Sequence, residues 1–186
     1  MMTEDDTTPT NEPATIEPDG GRVIESTMKE LDLTGDGDPD GYRSVHTEVR
    51  ELDIDGDGVA DLVETVTISE TALDVDGDGV LDVITTIETS ETTMDFTGDG
   101  VSDSVEVTEI KTIAYDIDGD GDFDITRTEV LTASGISPDD GGKLTDVETS
   151  GVRLYGLDTT GDGKIDDFVV EDVDVEVLEE GDGEEN

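Results

Sequence analysis

The chain has 186 residues, with 54 acidic residues against 9 basic ones and a formal net charge of −45. That balance excludes nucleic acid and anionic membrane as partners, since both demand positive surface, and leaves cations and basic proteins. Apolar residues make up 31% and aromatics 3%, with no Trp and no Cys, which rules out a large conventional core, a disulfide framework and a thiolate metal site. Structural zinc falls with the cysteines, because His46 has no second His to join it.

Residues 1–21 hold three Pro among many Thr, Glu and Asp, without apolar periodicity, and read as a disordered acidic leader. The start is acidic where an export signal is basic and then apolar. No stretch approaches the roughly 18 apolar residues of a transmembrane helix. The compartment is left open by the sequence.

From residue 22 to 178 the chain reads as a β-repeat domain of seven 21-residue units plus an initial strand. Segments such as "GYRSVHTEVREL", "LVETVTISETAL" and "VITTIETSETTM" are rich in Thr, Val and Ile, the composition of strands. Alternation is clearest in "VDVEVL" at 173–178. Twelve extended residues span roughly 40 Å, long for one strand. Two all-β architectures fit. An antiparallel β-meander reverses at each acidic loop, so that successive loops sit at opposite ends of the sheet. A β-solenoid stacks every loop on one edge and needs a turn inside the twelve residues, where most copies have no Gly or Pro. The meander is the expectation and the solenoid the alternative. Edge strands of such a sheet offer self-association or a protein partner.

Between the strands a nine-residue loop recurs as D-φ-[DT]-G-D-G-x-x-D, with φ usually apolar. In chain order its carboxylate and hydroxyl positions are Asp32, Thr34, Asp36 and Asp40; Asp53, Asp55, Asp57 and Asp61; and Asp74, Asp76, Asp78 and Asp82. They continue as Asp95, Thr97, Asp99 and Asp103; Asp116, Asp118, Asp120 and Asp124; and Asp158, Thr160, Asp162 and Asp166. The copy due at 137, "SPDDGGKLTD", lacks carboxylates at positions 1, 5 and 9, and no ion is expected there. The residue before the loop position is apolar in all eight registers of the period, the decayed one included: Leu31, Leu52, Leu73, Met94, Tyr115, Ile136, Leu157 and Leu178. The tail at 179–186 reads as disordered and acidic.

Asp at positions 1, 3, 5 and 9, with Gly at 6 for the sharp turn, is the order that brings hard oxygen ligands onto one cation. Ca²⁺ suits it better than Mg²⁺, which insists on a compact octahedron with several waters. Thr at position 3 offers a poorer ligand, so the loops at 32, 95 and 158 are expected to bind more weakly. Position 12, a bidentate Glu in an EF-hand, is Glu only at Glu64 and Glu106; elsewhere it is Arg43, Thr85, Arg127 and Val169. Affinities near ~10⁻⁴ M are therefore expected. The apolar residue at position 2 is expected to turn from the ion and pack under the sheet.

The string "DIDGDGVADLV" resembles the calcium loops of FG-GAP and VCBS repeats, and the nine-residue loop is similar to those of dockerins, thrombospondin type 3 repeats and EF-hands. The resemblance implies Ca²⁺ as cofactor and an extracellular, calcium-stabilised adhesion or scaffold module. It covers the loop and the few apolar residues after it; neither the roughly sixty-residue FG-GAP blade nor the helices flanking an EF-hand loop are present.

The functional expectation is a calcium-binding repeat protein with a structural role, calcium stabilising the fold. The alternatives are a calcium buffer or sensor, and a halophilic protein folded by salt without a specific divalent ion. No nucleophile–base pair or phosphate loop points to an enzyme. Six divalent ions add 12 positive charges to −45 and leave −33, so metal does not account for all the acid. His46 sits in a polar strand and reads as a solvated residue.

Overall fold

The computed structural model describes residues 21–137 and 144–174. The leader apart from Gly21, the centre of the decayed loop and the tail lie outside these residues. Eight strands follow one another: β1 (Gly21–Leu31), β2 (Gly41–Leu52), β3 (Leu62–Leu73), β4 (Val83–Met94), β5 (Ser104–Tyr115), β6 (Ile125–Ile136), β7 (Thr145–Leu157) and β8 (Asp167–Asp172). They form one open antiparallel sheet in sequence order, with β1 and β8 at its edges. This is the meander. Loops at 32, 74, 116 and 158 lie at one end of the sheet, and those at 53 and 95 lie at the other with the decayed copy; a solenoid would have put them all on one edge.

The β-branched segments run as unbroken twelve-residue strands from β2 to β6, with no internal turn. β8 is shorter and stops at Asp172, so Val173 and Asp174 are not strand; the rest of "VDVEVL" lies outside the described residues. Each apolar pre-loop residue from Leu31 to Leu157 is the last residue of its strand. Paired residues share a face, so Leu31, Leu73, Tyr115 and Leu157 line one face at one end. Leu52, Met94 and Ile136 line the opposite face at the other end. Period 2 along a strand combined with a reversal every 21 residues distributes the apolar side chains over both faces.

The consequence is a sheet nearly without a core. Ala72 and Ala114 are the buried apolar side chains among the described residues. They share a row with Gly156, alternating with Tyr42, Ile84, Thr126 and Phe168. Hydroxyl pairs support the faces: Thr47 with Thr67 at 3.1 Å, Thr112 with Thr128 at 3.1 Å, and Thr108 with Thr132 at 3.3 Å. Each such pair adds roughly 0.2–1 kcal/mol. The ladder breaks at the decayed copy, where the β6–β7 register shifts between Ser134 and Ile136 and Asp146 takes a left-handed φ of 51°.

Candidate metal centre

Every complete loop is built on the same glycine turn. The glycines at positions 4 and 6 both have positive φ, as in Gly56 at 81° and Gly58 at 93°, which a side chain strongly disfavours. That conformation turns their amides onto the position-1 carboxylate: Gly56 and Gly58 donate to Asp53 Oδ1 and Oδ2 at 2.6 and 2.9 Å. The bonds recur on Asp32, Asp74, Asp95, Asp116 and Asp158. Further round, the Asp57 amide donates to Asp55 and the Val59 amide to Asp57. The position-9 carboxylate closes the ring by accepting from the position-2 amide, at 2.5–2.6 Å in five loops.

That closing bond corrects the expectation for position 2. With its amide aimed inward, the side chain points out: Ile54 is 71% and Phe96 70% exposed, and Leu33, Val75 and Ile117 are similar. Position 8 faces the sheet in five of the six loops, Pro39 in the first being exposed. Ala60, Leu81, Ser102, Phe123 and Ile165 are half-buried, and a Cβ on Gly156 would lie 2.6 Å from Ile165 Cγ2. The signal available for this was a small residue two places before alternate loops, at Ala72, Ala114 and Gly156.

Four loops bring three carboxylate oxygens within 4.8 Å of one another: Asp53, Asp55 and Asp57; Asp74, Asp76 and Asp78; Asp116, Asp118 and Asp124; Asp158, Asp162 and Asp166. These clusters can hold a metal ion. The donors are all oxygen, and each carboxylate oxygen can accept an ion beside its amide bond. In the first two clusters position 9 stands apart, its Oδ2 accepting from the amides at positions 2 and 3; in the third, Asp120 is outside the group. The loops at 32 and 95 bring together no such acidic group among the described residues.

The threonine loops differ in detail. Thr97 donates through its hydroxyl to Asp95 Oδ1 at 3.3 Å, and Thr160 does the same to Asp158. A neutral donor there turns a like-charge contact into a hydrogen bond. In the loop at 158, Lys164 Nζ also reaches Asp162 Oδ2 at 3.2 Å, placing a tethered ammonium beside one candidate ligand. Glu64, at the twelfth position, lies in β3 and pairs with Arg50 at 3.4 Å instead of turning to the loop. His46 is half-exposed beside Glu48 and joins no cluster.

Charge registers in the carboxyl groups. Asp120 foremost, then burial, with Asp124 and Asp116 contributing less, pushes the Asp118 carboxyl above its ordinary value despite the Asp120 amide bond. At Asp95 and Asp158 burial pushes upward, but amide and threonine hydrogen bonds outweigh it and hold both carboxyls below the ordinary value. Asp40 is held down by the Thr34 and Leu33 amides.

Loops at one end are joined to each other. The Asp74, Asp116 and Asp158 amides donate to the Asp40, Asp82 and Asp124 carbonyls at 2.8, 2.9 and 2.8 Å. At the other end Asp95 and Ser137 donate to Asp61 and Asp103 at 2.9 and 2.6 Å, so the decayed copy keeps the tie without the aspartate. Neighbours at one end are two strands apart, about 9.5 Å at ordinary strand spacing. Compared with known proteins, the chain matches no protein-family model, and no curated protein or solved structure is similar to it.

Proposed function

We propose that the chain is a calcium-binding repeat module with a structural role, in which ions seated in the loops stabilise an otherwise coreless sheet. The observation that carries this reading is a single loop conformation repeated six times, with three carboxylate oxygens drawn within 4.8 Å in four of the copies. Two carboxylates ~4 Å apart repel by roughly 4 kcal/mol at an effective dielectric near 20. A hard dication turns that repulsion into coordination, and because each loop closes a hairpin, binding energy becomes folding energy. The oxygen-only donor set, with different carboxylates converging from loop to loop, supports Ca²⁺, which accepts a flexible ligand number, over Mg²⁺.

The role is that of a scaffold and not of an enzyme. The candidate ligands are all committed to the repeated loops, and what repeats is a spacing between them. The exposed residues Leu33, Ile54, Val75, Phe96 and Ile117 at the loop tips are the surface such an array presents.

Circular dichroism at low salt tests the reading. Strand signal and melting temperature should rise from EGTA to calcium. Equal signals in the two would sink it, and recovery by concentrated NaCl alone would favour the salt-folded reading, which the amide-closed loops also support. Equilibrium dialysis of an Asp57→Ala, Asp78→Ala double variant should show about two fewer ions per chain; unchanged stoichiometry would remove these loops as sites.

A further inference from the structure

The sheet ends at two strands whose outer backbone edges have no partner among the described residues, β1 and β8. Its own pairing rule fixes what fits between them. Wherever a strand leaves the end that carries the loops at 32, 74, 116 and 158, its first residue pairs with the last residue of the next strand: Gly41 with Leu73, Val83 with Tyr115, Ile125 with Leu157. β8 leaves that end at Asp167, and the rule asks for a strand ending opposite it. β1 of a second copy, ending at Leu31, is such a strand.

We propose that the chain associates head to tail with a second copy of itself, β8 of one pairing antiparallel with β1 of the next so that Asp167 faces Leu31. Three independent features converge on this register. First, the loop ties leave one donor and one acceptor over. Interior loops donate a position-1 amide to a position-9 carbonyl, and the pattern leaves the Asp32 amide at one edge and the Asp166 carbonyl at the other without that bond. The proposed register brings those two together.

Second, exposed apolar side chains gather on both edges. Met28 is 71% and Val170 62% exposed, the pairing sets them opposite each other, and Leu154 flanks Val170 on the same row. Third, the charges match. Lys29 lies directly across from Arg43, a like-charge pair with no acidic partner for either among the described residues. The new strand places Asp167 and Glu171 diagonal to Lys29 on its own face, within reach of long side chains.

The pairing covers Asp167–Asp172 against residues 26–31, clear of the β1 bulge between Val23 and Glu25. It is a heterologous contact, so it propagates instead of closing on a dimer. The charge of −45 on each copy opposes it, and salt that shortens the Debye length to a few ångströms removes most of that opposition. The inference rests on the sheet edges and not on which ion the loops take.

The chain has no cysteine, so engineered ones report cleanly. Met28→Cys and Val170→Cys, placed on separate copies and mixed under mild oxidation in 0.5 M NaCl, should form a mixed disulfide at least tenfold faster than either variant alone. The double variant should give a ladder of covalent oligomers. An internal disulfide cannot form, because seven strand spacings, about 34 Å, separate the edges. Val169→Cys, on the opposite face, should not link to Met28→Cys. Predominant 28–28 or 170–170 links would overturn the register, as would monomeric sedimentation of the unmodified chain in the same salt with and without calcium.

Discussion

The Asp116 amide donates to the Asp82 carbonyl at 2.9 Å, joining two acidic loops that sequence order separates by a third. The loop between them, at 95, sits at the far end of the sheet, so mechanical neighbours along this chain are alternate repeats. Damage to one loop should travel in steps of two.

Gly79→Ala tests that directly. Gly79 has φ +93° and no atom within 4 Å of an added Cβ, so its cost is backbone strain alone, about 1–2 kcal/mol. At roughly 2–4 °C per kcal/mol for a chain of this size, the melting temperature should fall by a few degrees. Amide exchange should quicken at Asp74 and Asp116, which are tied to and from the loops on either side. Asp95 should keep its protection. A uniform change across all loops would mean that the array melts as one unit.

Thr97→Asp should reverse its effect with calcium. Asp95 is buried and accepts both the amide and the hydroxyl of Thr97, at 3.1 and 3.3 Å. A carboxylate in that place recreates the repulsion felt by Asp118. In EGTA the variant should melt slightly below the parent chain, solvent cutting most of the Coulomb repulsion. In calcium the added oxygen becomes a ligand, and the variant should melt above the parent. Equal destabilisation in both conditions would show that calcium does not reach this loop.

Much of the fold could be read from the chain because the period is rigid: Leu31, Leu52 and Leu73 each end a strand, and the sheet follows from reversing at every step. The candidate clusters were legible in part: the spacing put the acids on one glycine turn, but three and not four carboxylates converge, and which three differs between the loops at 53 and 116. Position 2 was misread because hydrophobicity alone cannot say which way a loop residue faces. The Ile54 amide is claimed by Asp61, and that bond decides the side chain's direction. Nor could spacing reveal Lys164 on Asp162, or the Arg50 partner that holds Glu64 in the sheet; both are contacts between groups whose pairing depends on the finished backbone.

Glu129 gives a pH signature away from the loops. The Arg127 hydrogen bond, at 2.7 Å, and the bond from Arg153 hold its carboxyl below the usual value, outweighing burial. A carboxyl lowered in the folded state contributes stability above its unfolded pKa, about 4.3, and that contribution disappears as pH falls through the folded value. Glu129→Gln should therefore lower the melting temperature by a few degrees at pH 7, with Arg127 and Arg153 left facing each other. The gap between the two proteins should close as pH drops from about 5 to 3. Following the difference between them removes the general effect of neutralising other carboxylates. A gap that stayed constant with pH would assign the loss to packing.

Lys164→Val addresses the loop that carries its own cation. Position 7 is Val59, Val80 and Val101 in three other loops, so the backbone tolerates valine there. In the loop at 158, Lys164 Nζ stands 3.2 Å from Asp162, which clusters with Asp158 and Asp166. The ammonium is well exposed, so it exchanges freely and its pairing adds little to stability. It nevertheless neutralises one negative charge where an incoming dication needs it. Removing it should leave the EGTA melting temperature nearly unchanged and tighten calcium at this loop several-fold, read by titration calorimetry on a background with Asp57→Ala, Asp78→Ala and Asp118→Ala, which disrupts the other three clusters. Lys164→Arg should keep the weak affinity, because it keeps the charge. Equal calcium affinity in the valine and arginine variants would mean that the cation does not compete for Asp162, and that the weakness of this loop lies with Thr160.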